Sequence, residues 1–276
     1  MYGPSVLYDA LMSCEQAEPM KTVILASLAL GLLAGNCQAE QQCDRHSGRT
    51  NFTVDGKNAF LLKPCTEETR GWVWYAPTRG DQLPDMYDDL LLSKLRKSGI
   101  AVAGVDVGDF YGAPYGLAVY DHFYKVLITE YQLDPRPTLY GRSRGGLELM
   151  GWARNNAEKV RGFAGVYPVL NLASFPGLDK ASKEYGVTED ELRQMLPRVN
   201  PIETYMPLAA QHVPVYISHG IDDVVVPYKQ NIEIFNDRYK KAGGDITMNL
   251  VPGQGHNAWE GWWSDPKIFG FIASKY

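Results

Sequence analysis

The sequence predicts an α/β protein built on a mostly parallel sheet with helices on both faces. Three observations carry this. Short β-rich runs alternate with longer stretches of helical spacing from about residue 71 to the C-terminus, the pattern of strand–helix–strand units. Those runs are apolar along their length, as strands covered on both faces are. One of them, Pro137 to Gly141, runs straight into a glycine-rich turn that opens a helix.

In chain order, Gly71 to Ala76 (GWVWYA) reads as a buried strand, Leu83 to Ser98 has helical spacing, and Ile100 to Asp106 (IAVAGVD) is a second apolar strand. Leu117 to Tyr131 is helical, and Pro137 to Gly141 is a strand followed by a helix over Leu147 to Asn156. Gly162 to Tyr167, Val213 to Ser218 and Ile246 to Val251 are further strands, with a helical run from Lys229 to Lys241 between the last two. Trp259 to Ser274 reads as a final helix. Residues 171–211 interrupt the alternation. Thr188-Glu189-Asp190-Glu191 is a capping-box pattern that starts a helix there, and an insertion at this point would sit over the strand ends as a small lid. In such sheets ligands bind at the carboxyl ends of the strands.

Composition is that of a globular protein: 276 residues, 45% hydrophobic, 21% charged, with a net charge of −5 free of single-sign blocks. A chain this long can bury a large single core, and no basic face marks a nucleic-acid partner. From Met20 the sequence reads as a secretory signal peptide: Lys21, an apolar run from Val23 to about Ala34, and a small-x-small site at Cys37-Gln38-Ala39. The run is too short for a membrane span; an N-terminal anchor, or a lipoprotein signal through Cys37, is the competing reading. Residues 1–19 then read as an upstream extension from an early start assignment, residues 20–39 as the signal, and residues 40–276 as one domain, secreted or periplasmic. Cys43 and Cys65 remain after cleavage and can pair in an exported chain, the alternative being two free thiols. No Cys-x-x-Cys or histidine cluster accompanies them, so neither a metal nor another cofactor is expected.

Gly141-Arg142-Ser143-Arg144-Gly145 fits G-x-S-x-G in the context that gives the pattern meaning, a strand before it and a helix after it. A serine on a tight strand-to-helix turn needs neighbours without Cβ atoms, and the N–H of Arg144 at the helix start points where an oxyanion would form. The architecture orders its residues as serine, acid, histidine. His256, in the glycine-bracketed loop after the last strand, suits a general base; His219 is its competitor. The acid follows the penultimate strand, in His219-Gly220-Ile221-Asp222-Asp223-Val224-Val225-Val226-Pro227. Asp223, at the loop apex, is preferred over Asp222 as the carboxylate that orients the imidazole.

GRSRGG, HGIDDVVVP and GQGH resemble the nucleophile, acid and histidine motifs of the α/β-hydrolase superfamily, most similar to its prolyl-oligopeptidase-like and esterase branches, over the stretch from about Gly71 to the C-terminus. The resemblance implies an eight-stranded fold, a Ser143–Asp223–His256 triad and hydrolysis through an acyl-enzyme. The superfamily's His-Gly oxyanion signature is absent: GWVWYA runs into Pro77-Thr78-Arg79-Gly80. Pro77 has no N–H, so Thr78 is the expected second donor, with Ala76 and Tyr75 as alternatives.

Arg142 and Arg144 flank the serine and invite a substrate carboxylate, the alternative being that one or both pair with carboxylates such as Asp106 or Asp109. Tyr111, with Asp109 and Tyr115, reads as a rim residue. Trp259 is a candidate cleft wall, whereas packing of the C-terminal helix accounts for most of Trp259, Trp262 and Trp263. The function expected is a serine carboxylesterase acting outside the cytoplasm on a small-molecule ester or on acyl or methyl esters of polysaccharides. A small exopeptidase of the prolyl-oligopeptidase-like type is the alternative, since about thirty residues between Ala39 and the first hydrolase strand leave no room for a propeller. A non-catalytic binding member of the fold is the third reading, and the complete residue set argues against it.

Overall fold

The computed structural model describes residues 43–276; the expected signal peptide and the extension before it lie outside the described residues. The sheet has eight strands: β1 (Arg49–Val54), β2 (Lys57–Leu62), β3 (Gly71–Ala76), β4 (Ile100–Val105), β5 (Thr138–Arg142), β6 (Gly162–Val166), β7 (Val215–Gly220) and β8 (Ile246–Val251). Their order is β1-β2-β4-β3-β5-β6-β7-β8. The first two strands join antiparallel, and β4 to β8 with β3 run parallel.

The β1–β2 hairpin is not among the six strands read from the sequence, although a signal for it exists. Asp55-Gly56 separates the two runs, and both residues have positive φ, 51° and 73°, as a two-residue type I′ turn requires.

Helices α1 (Met86–Lys97), α2 (Pro114–Thr129), α3 (Gly145–Ala153), α7 (Ile232–Lys241), α8 (Gly261–Ser264) and α9 (Pro266–Ala273) cover the sheet. The expected single C-terminal helix is two, because Pro266 starts a new helix capped by the Asp265 side chain. β3 shows how the layers are filled. Trp72, Trp74 and Ala76 face a core with Tyr120, Phe123 and Trp152, whereas Val73 and Tyr75 face Leu91, Leu95, Trp263 and Ile272, as the two-residue period of a strand demands.

Between β6 and β7 lie α4 (Leu178–Tyr185), α5 (Glu189–Val199) and α6 (Met206–Ala210). The Thr188–Glu191 capping box forms with both reciprocal bonds. The insertion shares a third apolar cluster (Leu178, Tyr185, Leu192) with Tyr111, Leu147 and Val226, residues next to the loops at the strand ends. Among the described residues no helix is long and apolar enough to cross a membrane.

Cys43 and Cys65 form a disulfide that closes a 22-residue separation around the hairpin. Beside it the buried Arg96 donates to the carbonyls of Lys63 (2.7 Å), Ser47 (2.6 Å) and Asp44. The chain-entropy model assigns a loop of this size about 3 kcal/mol. Cys43→Ser/Cys65→Ser is therefore expected to lower the unfolding free energy by about that amount in a denaturant titration. An unchanged midpoint would show that the staple constrains nothing.

Glu148 of α3 is fully buried and accepts a hydrogen bond from the Tyr120 hydroxyl (2.9 Å). Burial pushes its carboxyl up to about 8, against about 4.3 for an exposed glutamate. The native state thus holds a proton there that the unfolded chain releases above about pH 4.3. This contribution to stability is present at low pH and falls as pH rises toward 8, with a slope of at most about 1.4 kcal/mol per pH unit. Melting temperatures from pH 5 to 8 should fall more steeply for the wild type than for Glu148→Gln; parallel curves would contradict this.

Candidate active site

β5 delivers Ser143 to the carboxyl edge of the sheet, and α3 leaves from it at Gly145. Ser143 has φ of 50°, a left-handed conformation that a non-glycine residue adopts only under local constraint. That constraint is visible. Ser143 donates its N–H to the Val166 carbonyl (3.1 Å), and its own carbonyl accepts from Gly146 (3.0 Å) and Val169 (2.7 Å). A Cβ at Gly145 would lie 2.1 Å from the Ala76 carbonyl oxygen, and one at Gly146 2.5 Å from that of Val169. The turn therefore closes against β3 and the loop after β6 only because both residues lack a side chain.

Ser143 Oγ lies 2.9 Å from His256 Nε2, and His256 Nδ1 lies 2.8 Å from Asp223 Oδ2. Asp223 follows β7 and His256 follows β8, so adjacent parallel strands bring together residues 33 apart in sequence. Asp223 Oδ1 accepts from the N–H groups of Val225 (2.9 Å) and Val226 (2.8 Å). Burial raises the Asp223 carboxyl, but the hydrogen bonds from His256 and Val226 outweigh it and hold the group below the usual carboxylate range. A carboxylate at Nδ1 fixes the imidazole proton on that nitrogen and leaves Nε2 free to accept from the serine.

Asp222 stands apart: it is exposed and accepts from the Gly253 N–H at 2.8 Å, joining the acid loop to the histidine loop. His219 is fully buried beside the acid, donating Nε2–H to the Val226 carbonyl at 2.9 Å, and burial lowers its proton affinity. It lies 3.7 Å from Asp223, beyond hydrogen-bond distance, with Nε2 committed to that carbonyl.

A cavity of about 260 Å³ opens over Ser143, lined by Pro77, Arg79 and Leu83, by Arg142 and Arg144, and by Tyr167, His256, Asn257 and Ala258. Arg144 opens α3, where backbone N–H groups lack intrahelical partners. Thr78 lines a separate cavity with Arg49, Phe60 and Asp106; the residues of this segment that line the cavity over Ser143 are Pro77 and Arg79. Ala76 and Tyr75 lie within β3, in register with Gly141 and Tyr140 of β5.

Of the two readings for the flanking arginines, the structure shows pairing with carboxylates: Arg144 meets Asp109, as expected, whereas Arg142 meets Asp85 and Asp88 in place of Asp106 or Asp109. Its guanidinium is committed to Asp85 and Asp88, each at 2.8 Å, and lies over the Trp263 ring at 4.9 Å. It is an anchor of the α1 N-terminus, where Asp85 is the helix cap. Tyr111, expected on the rim, is buried in the cluster shared with the insertion, edge-on to Phe175, with its hydroxyl 3.5 Å from Asp109 Oδ2. Trp259 is 41% exposed beside the cavity-lining Ala258, edge-on to Trp262, and Trp262 and Trp263 are buried. Tyr167, not singled out from the sequence, has its ring centre 4.3 Å from that of His256, tilted by 50°, and a φ of 35°. Its place just after β6, at the carboxyl edge beside β5, was the available signal. Among the described residues no cluster of His, Cys, Asp or Glu could hold a metal ion.

Residues 122–266, just over half of the chain, match the prolyl oligopeptidase family. No curated protein sequence matches the chain. Among solved structures, a puromycin-hydrolyzing peptidase of Mycobacterium tuberculosis superposes with a TM-score of 0.64 at 17% identity, over 82% of this chain and 40% of that one. An S-formylglutathione hydrolase from Agrobacterium tumefaciens gives 0.61 at 15% identity, over 82% and 91%. A cold-adapted esterase from an Arctic intertidal metagenomic library, in a zinc-bound structure, gives 0.56 at 14% identity, over 82% and 92%. The chain thus spans about 40% of the length of the peptidase it matches. At these identities the likeness establishes the fold.

Proposed function

The chain belongs to the prolyl oligopeptidase family of serine hydrolases, and from that premise we propose that it hydrolyses carboxylic esters through an acyl-enzyme on Ser143. The observation that carries this reading is the unbroken hydrogen-bonded chain from Ser143 through His256 to Asp223. In it, Ser143 Oγ attacks the acyl carbon while Nε2 of His256 takes its proton, and Asp223 stabilises the imidazolium. The N–H of Arg144, with a second from Thr78 or Arg79, holds the oxyanion. His256 returns the proton to the leaving alcohol. Water, deprotonated by the same imidazole, then releases the acid and restores the serine.

Peptide hydrolysis is the second reading, favoured by the family and by the peptidase fold relative. Against an aminopeptidase stands the charge of the cavity. Its lining holds three arginines and no Asp or Glu among the described residues, and a free α-ammonium group would need a carboxylate. Turnover of a short-chain aryl ester should exceed that of the matching aminoacyl arylamide; the reverse order would favour the peptidase. The Cys43–Cys65 disulfide supports an oxidising destination, in keeping with residues 20–39 as a removed signal. Helices α4 to α6 serve as a lid-like wall over the strand ends. Trp259, exposed beside the cavity, supports polysaccharide-linked acyl or methyl esters as the substrate class, since an aromatic face can carry a sugar ring.

A further inference from the structure

Around Asp109, at the edge of the Ser143 cavity, the charges do not cancel. Arg79 and Arg144 both reach the single carboxylate of Asp109: Arg79 Nη2 lies 2.8 Å from each oxygen, and Arg144 Nη1 contacts Oδ1. Two guanidinium groups against one carboxylate leave one net positive charge. Each arginine uses one nitrogen in this contact, so the remaining N–H donors have no side-chain partner among the described residues. Both residues line the cavity that contains Ser143 and His256, with side chains 41% and 23% exposed. The third arginine there, Arg142, is occupied by Asp85 and Asp88, and no Asp or Glu lines the cavity among the described residues.

We propose that Arg79 and Arg144 form a carboxylate-binding subsite beside the nucleophile, which makes the preferred substrate an ester bearing a second, free carboxylate. A guanidinium presents paired N–H donors that match a carboxylate in a planar fork. The subsite is already assembled, since Asp109 holds both arginines and uses only one nitrogen of each. The inference rests on the ester reading above, and it names the chemistry that site selects. The carboxylate can belong to the acyl part, as in a dicarboxylate half-ester, or to the alcohol.

Two matched pairs of substrates tell these sources apart, assayed on the full chain. For the acyl side, 4-nitrophenyl hemisuccinate is compared with 4-nitrophenyl valerate. For the alcohol side, the butyrate ester of 4-hydroxybenzoate is compared with that of 4-hydroxybenzamide. A charge-assisted hydrogen bond corresponds to a roughly ten- to hundredfold preference in kcat/KM for the anionic member. In at least one pair that preference should appear, fall about tenfold in Arg79→Gln, persist largely in Arg79→Lys, and shrink in 0.5 M salt, since the subsite is partly exposed. Each preference is a ratio within one preparation, so a partly unfolded variant does not distort it. Neutral esters turned over with ratios unchanged by Arg79→Gln in both pairs would overturn the subsite alone. Turnover of no ester in either series would overturn the ester reading beneath it.

Discussion

Ser143→Ala is expected to reduce ester turnover by about five to six orders of magnitude in kcat, the scale on which loss of a triad nucleophile acts, while leaving the thermal transition nearly unchanged. The alanine removes one oxygen and retains the backbone that makes the turn. The strained φ of 50° is imposed by three backbone hydrogen bonds and by the approach of Gly145 and Gly146 to neighbouring carbonyls, none of which involves the hydroxyl. The residual rate should still exceed that in water, because the oxyanion donors and the cavity survive. The comparison is made by steady-state kinetics on a short-chain aryl ester, with calorimetry on the same preparations. Comparable turnover by wild type and variant, both folded, would remove Ser143 from the chemistry.

Asp223→Asn is the second large effect, expected at about four orders of magnitude in kcat. The amide keeps the shape of the carboxylate. It can still accept from Val225 and Val226 through its oxygen, and it then offers N–H to His256 Nδ1 where an acceptor is needed. The imidazole is driven to the tautomer whose Nε2 bears the proton and cannot accept from Ser143. Asp222→Asn is expected to change kcat less than about threefold, as exposed loop substitutions away from the chemistry do, because the Asp222 side chain accepts from the Gly253 N–H, which an amide oxygen can also do, and its backbone bond to Gln254 is kept. A larger loss at Asp222 than at Asp223 would reverse the assignment.

Much of this site is legible from residues close in sequence. The nucleophile turn announces itself because a short apolar strand, G-x-S-x-G and a helix follow one another without a gap. Asp223 and His256 follow from strand order alone, because parallel strands bring their carboxyl-end loops to one edge. What escaped depends on long-range contact. Arg142 meets Asp85 and Asp88, residues 57 and 54 positions away, and no local pattern links a nucleophile turn to the cap of α1. Tyr111 looks like a loop aromatic at the strand edge, yet the insertion that buries it comes more than sixty residues later. The Arg79–Asp109–Arg144 contact escaped for the same reason, since it joins three segments that are separate in sequence. The β1–β2 hairpin is a different case, for Asp55-Gly56 carries a local turn signal, weakened by the polar residues of an edge strand around it.

The most direct test of the central claim is covalent capture of the nucleophile. The full chain is treated with a fluorophosphonate and the modified peptide is located by mass spectrometry. A single stoichiometric adduct on Ser143, lost in Ser143→Ala and strongly slowed in His256→Ala, is the result expected of a serine activated through Nε2 at 2.9 Å. No adduct on the folded protein, or an adduct on another serine that persists in Ser143→Ala, would contradict the account.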